Sequence, residues 1–305
     1  MKWQYPPIDE SALGYIYGTP YVADGVVYVG AYKGKVYAID VEHGWRIWAY
    51  PEESSIGSIV GSPVVEDGTL YVGSSDGKLY AIDAETGREK WWPFVTGDDI
   101  WATPAVHDGV VYIGSFDQKL YAVDTESGVA IWDFLTGAAI SSTPLIYNDT
   151  IYIGSFDRKF YAINLDGSLK WRFDEAGNWF WGKALAYDNT IITGCLDGRV
   201  YALDTDTGIC RWCFPTEGEV GPIRGDPALV GNMAVFGSED GKIYALDAST
   251  GQELWRYPPG DDYIGPVRAP IYVEDNVAYV HASNQKIYAL ETEYGGTIWS
   301  YTTGD

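Results

Sequence analysis

The chain has 305 residues, with 20 basic and 43 acidic side chains and a formal net charge of −23. A surface of that sign repels polyanions, which excludes nucleic acid as a partner. The longest apolar runs are of strand length, too short to span a bilayer, and no charged and apolar leader precedes Lys2-Trp3.

In chain order, the first element is an outer strand without its blade: Lys2-Trp3-Gln4-Tyr5-Pro6-Pro7 copies Leu254-Trp255-Arg256-Tyr257-Pro258-Pro259. From residue 14 onward one unit repeats, marked by a Tyr-Ala pair at Tyr37, Tyr80, Tyr121, Tyr161, Tyr201, Tyr244 and Tyr288, with steps of 43, 41, 40, 40, 43 and 44 residues. A tryptophan closes each unit: Trp48, Trp91, Trp132, Trp171, Trp212, Trp255 and Trp299. Within a unit the apolar period is two and no stretch is helical. In the type unit, residues 62–95, Ser62-Pro63-Val64-Val65, Leu70-Tyr71-Val72-Gly73, Leu79-Tyr80-Ala81-Ile82 and Lys90-Trp91-Trp92-Pro93-Phe94 read as four strands. Asp67-Gly68 and Asp76-Gly77 are hairpin turns between them, because glycine supplies positive φ. The third turn, Asp83-Ala84-Glu85-Thr86-Gly87, returns at Asp124, Asp204 and Asp247, so these aspartates, with Asp40, are turn-formers bonding their own amides.

Four-stranded units at a period near forty read as propeller blades. The expected fold is an all-β, seven-bladed β-propeller of four-stranded antiparallel blades in one domain, 1–305. Residues 1–13 form an extra outer strand and lead-in, and the blades span roughly 14–51, 52–95, 96–136, 137–174, 175–215, 216–258 and 259–305. Two readings of the surplus strand stay open. It pairs with the last blade, with Trp299-Ser300-Tyr301 displaced or forming a fifth strand, or the chain is a trimmed piece of a longer one.

The type unit, from Ser62-Pro63 through Tyr80-Ala81-Ile82-Asp83 to Thr86-Gly87 and Trp91, resembles the pyrroloquinoline-quinone-like propeller repeat over about residues 14–305. That resemblance implies tryptophans docked between neighbouring blades, and a family holding quinoprotein dehydrogenases, a lipoprotein of outer-membrane barrel assembly and cofactor-free scaffolds. It also implies an extracytoplasmic compartment if a leader has been trimmed.

Where the repeats disagree, function has room. The segments before each first strand carry Tyr17, Val60, Trp101, Ser141, Trp181, Arg224 and Arg268 at one position, expected to ring the mouth of a central channel. Tyr17, Trp101, Trp181, Arg224 and Arg268 are the candidate binding residues, and the second turns add Tyr32, Phe116 and Phe156 as a secondary face. Arginines beside aromatics suit a ligand with an anionic group and a flat or sugar-like body, or a peptide carboxylate. They are also the residues enriched at protein-binding hot spots. The competing reading pairs Arg224 and Arg268 with loop carboxylates such as Asp226, Glu219 or Asp262, while the aromatics plug the channel.

Cys210-Arg211-Trp212-Cys213 has the spacing of a metal or redox motif, but strand alternation points its two sulfurs to opposite faces. His43, His107 and His281 are scattered, so no metal ligands are assigned. Quinone catalysis would ask for a carboxylate-rich calcium site and adjacent cysteines, and no cofactor or catalytic residue is assigned. The expected function is a non-enzymatic, monomeric module binding a protein or peptide, or a small anionic or sugar ligand. A quinone-dependent dehydrogenase and a carbohydrate-binding propeller are the alternatives.

Overall fold

Asp24 and Gly25 both take positive φ, as do Asp67 and Gly68, and Asp108 and Gly109. This is the mirror-image turn whose twist matches that of the strands it joins, and it closes the first hairpin of blades one to four and seven, Asn148-Asp149 and Asp275-Asn276 included. The second hairpin turns on a positive φ as well, at glycines such as Gly77 and Gly241 but also at Gln118 and Arg158. In the third turn Asp83 Oδ1 accepts bonds from Thr86 N (2.8 Å) and Thr86 Oγ1 (2.7 Å). The same bonds recur at Asp124, Asp204 and Asp247, which are the turn-formers the repeat predicts.

The structure, a computed structural model, describes Trp3, Tyr5 and residues 13–303. Strands joined by these turns make seven four-stranded antiparallel sheets, each in simple consecutive order. The fold is an all-β, seven-bladed propeller. The blades fall into two compact units, Met1–Pro144 with blades one to three and Leu145–Asp305 with blades four to seven. Among the described residues no helix is long and apolar enough to cross a membrane.

Apolar faces of successive blades build the core of each unit. Leu70, Val72, Tyr80 and Ile82 of blade two pack on Tyr28, Val36, Ala38 and Trp48 of blade one. Close approach is written into one glycine position: a Cβ on Gly73, in the second strand of blade two, would lie 2.2 Å from Ile100, the residue leading into blade three. Tryptophan then locks the outer edge. Trp48 lies over Gly87 and donates to the Ala84 carbonyl (2.9 Å). The same seat on the following turn is taken by Trp91 (on Thr125 O), Trp171 (Thr205 O), Trp212 (Ala248 O) and Trp255 (Thr292 O). Trp3 occupies the corresponding seat of blade one, over Gly44 and bonded to Val41 O at 2.8 Å. Lys2, Gln4, Pro6 and Pro7, the rest of its copied segment, lie outside the described residues.

Three local expectations need correction. Trp299-Ser300-Tyr301 is neither displaced nor a fifth strand, because Thr297–Thr302 pairs with Lys286–Glu291 as the fourth strand of blade seven. In blade two the fourth strand shrinks to Phe94–Val95, with an isolated bridge between Ile82 and Glu89, since Pro93 has no N–H to donate and Trp92 turns out into solvent. Finally, six of the fourth strands carry a bulge. In blade five Ala202 faces Trp212 and Leu203 faces Cys210, which leaves Arg211 as an extra residue. The extra residue cancels the alternation, so Cys210 and Cys213 pack against the same apolar cluster rather than on opposite faces.

Candidate functional site

The second turns are stiff platforms. In blade four Asp157 accepts Lys159 N at 3.0 Å and the Tyr161 hydroxyl at 2.5 Å, and in blade six Asp240 accepts Lys242 N at 2.9 Å and the Tyr244 hydroxyl at 2.6 Å. Burial, reinforced by the bond to aspartate, pushes both Tyr201 and Tyr244 well above the ordinary phenol range, so these hydroxyls stay donors. The residue just before each aspartate is thereby aimed outward: Tyr32, Phe116, Phe156 and Glu239 hold that place or its equivalent.

In the unit of blades four to seven these platforms meet the lead-in segments in one continuous ladder. The Phe156 ring stacks on Trp179 (centroids 4.5 Å, planes 11° apart) and on Trp181 (5.1 Å, 23°). The Arg224 guanidinium lies 4.4 Å from the centre of the Trp181 ring, within cation–π range. Arg224 Nε then donates to Glu239 Oε1 at 3.0 Å, and Arg268 contacts the same carboxylate through Nε (3.1 Å) and Nη2 (3.2 Å). The Arg268 bonds, followed by those of Arg224, hold the Glu239 carboxyl below its ordinary value against the opposing effect of burial. Two guanidinium groups around one carboxylate leave a local formal charge of +1 on a chain of −23. Arg268 is the outermost member, with 57% of its side chain exposed.

In the unit of blades one to three the expected residues form two smaller clusters. Tyr17 makes an edge contact with Tyr32 (5.3 Å) and a tilted one with Tyr15 (6.3 Å). Trp101 leans on Phe116 at 4.6 Å and donates its indole N–H to Asp99 (3.2 Å). Ser141, expected between the two tryptophans, is buried with no hydrogen-bond partner for its hydroxyl.

The structure thus joins Trp181, Arg224, Arg268 and Phe156, and it adds Trp179 and Glu239, which the sequence reading passed over. Glu239 had a signal: among Tyr32, Ser75, Phe116, Phe156, Leu196, Glu239 and Ser283 at the outward place of the second turns, it is the one acid. Both arginines do pair with a loop carboxylate, as the competing reading expects, but it is Glu239 rather than the three acids named there. Neither Asp226, Glu219 nor Asp262 pairs with Arg224 or Arg268 in any described bond. Asp226 instead accepts the Lys183 backbone N–H at 2.7 Å, the role Ser62 plays for Thr19 and Thr103 plays for Ser62. Among the described residues no three His, Cys, Asp or Glu side chains converge as a metal site.

A family model described as outer membrane protein assembly factor BamB matches residues 9–100, 92–219 and 196–305. The chain belongs to this pyrroloquinoline-quinone-like propeller family. Among solved structures, it is similar to the computationally designed Ika8 protein (17% identity, TM-score 0.81, covering 97% of this chain and 89% of that one). BamB from Moraxella catarrhalis matches at 21% identity and TM-score 0.74, over 89% of this chain and 83% of its own. Quinohemoprotein alcohol dehydrogenase from Comamonas testosteroni matches at 16% identity and TM-score 0.77, over 95% of this chain and 67% of its own. Identities this low carry the fold and no activity. No curated protein matches the sequence.

Proposed function

We propose that this BamB-family propeller is a non-catalytic protein-interaction module whose principal contact is the ladder from Trp179 through Phe156, Trp181, Arg224 and Glu239 to Arg268. The observation that carries this reading is the stack itself. Planar aromatics and guanidinium groups held rigid by neighbouring turns offer large contact area at low entropic cost, the composition of binding hot spots. The matching family is described as an assembly factor, which supports a protein as the partner. The partner segment that fits presents a carboxylate to Arg268 beside an aromatic or proline-rich stretch for the Trp179–Phe156 plane. Tyr17 with Tyr32, and Trp101 with Phe116, are secondary contacts in the same reading.

The test is capture from the native host's extract on immobilised wild type, a Trp181→Ala/Arg268→Ala variant, and a control altered on a different surface at Trp92→Ala. Proteins kept by wild type and control but lost by the double variant support the face. Hot-spot truncation costs about 2 kcal/mol or more, so retention should fall at least about 30-fold. Equal retention on all three columns would refute it.

A further inference from the structure

The bulge in blade five does more than turn two side chains to one face, because it also sets how far apart they are. Cys213 lies opposite Tyr201 and Cys210 opposite Leu203. The three residue steps between the cysteines are thus compressed to two steps of the partner strand, about 6.5 to 7 Å between α-carbons. Blade six shows what that spacing permits. Glu253 and Arg256 occupy the same two register positions, opposite Leu246 and Tyr244, and the Arg256 guanidinium donates to Glu253 at 2.5 Å. Blade five replaces that ion pair with two thiols.

Both thiols are half-buried and unbridged, and both pack on the apolar cluster around Tyr201, Leu203 and Trp171. The Cys210 thiol donates to the Trp212 carbonyl at 3.0 Å. It is close enough to Cys213 for the two groups to interact, and burial, with Cys213 as the next cause, pushes it up to about 11.

We propose that Cys210 and Cys213 form a bidentate dithiolate site for a soft, two-coordinate cation of the monovalent copper type. Thiolates select such ions over hard ones, and no third ligand is needed for this coordination. The spacing also favours a bridging ion over a direct bond. A disulfide prefers α-carbons about 5.5 to 6 Å apart and tolerates up to about 6.8 Å, so this pair sits at the edge of its range. An intervening metal, with thiolate–metal bonds of about 2.3 Å each as for zinc, holds the two sulfurs further apart than a direct bond does. Binding replaces two S–H protons by two S–metal bonds and releases the protons to solvent, with no change of oxidation state.

The test is an anaerobic titration of the intact chain with monovalent copper buffered by a colorimetric chelator, followed by pH-stat. The expected result is one copper per chain and about two protons released per ion. Cys210→Ser and Cys213→Ser should each weaken binding at least tenfold, while Cys195→Ser leaves it unchanged. Prior treatment with a trivalent arsenical, which needs two neighbouring thiols, should block uptake in wild type, an arm that depends on no variant folding. Either serine variant holding copper as tightly as wild type would overturn the proposal. So would uptake that the arsenical does not block, or conversion under air to a chain two mass units lighter, which would show that the sulfurs join directly.

Discussion

Trp255 and Trp299 hold the same register position in blades six and seven, opposite Ala245 and Ala289, yet one is 9% exposed and the other 45%. Their own blades treat them alike. Trp255 is covered because the turn of the next blade slides beneath it, with Gly295 under the ring and the Thr292 carbonyl on the indole N–H. Trp299 lies on a fourth strand whose six residues are all exposed. A docking tryptophan is therefore worth what its neighbour supplies, and identical motifs need not carry equal stability.

This contrast can be broken by substitution. Trp255→Ala should show the largest effect, about 3 to 5 kcal/mol in denaturant unfolding, since the large buried side chain leaves a cavity over a turn that cannot follow it. Gly295→Ala comes next, at about 1 to 3 kcal/mol. Its φ of 70° disfavours a side chain, and the new Cβ would sit 2.6 Å from the Trp255 ring. Trp299→Ala should cost about 1 kcal/mol or less. A Trp299 loss equal to that of Trp255 would show that the exposed indole has a partner.

A fourth measurement separates turn chemistry from docking. Arg211 first, then Thr207, hold the Asp204 carboxyl down at about 2, while in the unfolded chain it returns to about 3.9. A lowered folded value stabilises above the unfolded one, and the benefit disappears as pH falls through the folded one. The melting-temperature advantage of wild type over Asp204→Asn should therefore be full at neutral pH and shrink between about pH 4 and pH 2. The difference between Trp255→Ala and wild type should show no such dependence.

The scaffold was legible because it is local and repeated. Asp-Gly pairs, the Asp-to-Gly third turn and the closing tryptophan each act within a few residues, and seven copies make the period plain. The candidate site was legible only in part. Trp181, Arg224, Arg268 and Phe156 stood out as places where the repeats disagree. Their joining through Glu239 depends on how a second turn and two lead-ins approach each other, which no spacing along the chain encodes. Trp179 was hidden by standing next to the buried Phe180, and the alternation rule failed at Cys210 and Cys213 because a bulge leaves no mark in residue type.

That irregularity recurs in six blades, and in each it brings two paired positions of the outer strand next to each other on one face. Blade six fills them with opposite charges, blade five with sulfur, and blade seven with Thr297 and Ser300. The propeller can accordingly vary the chemistry of its rim one blade at a time while strand pairing stays the same.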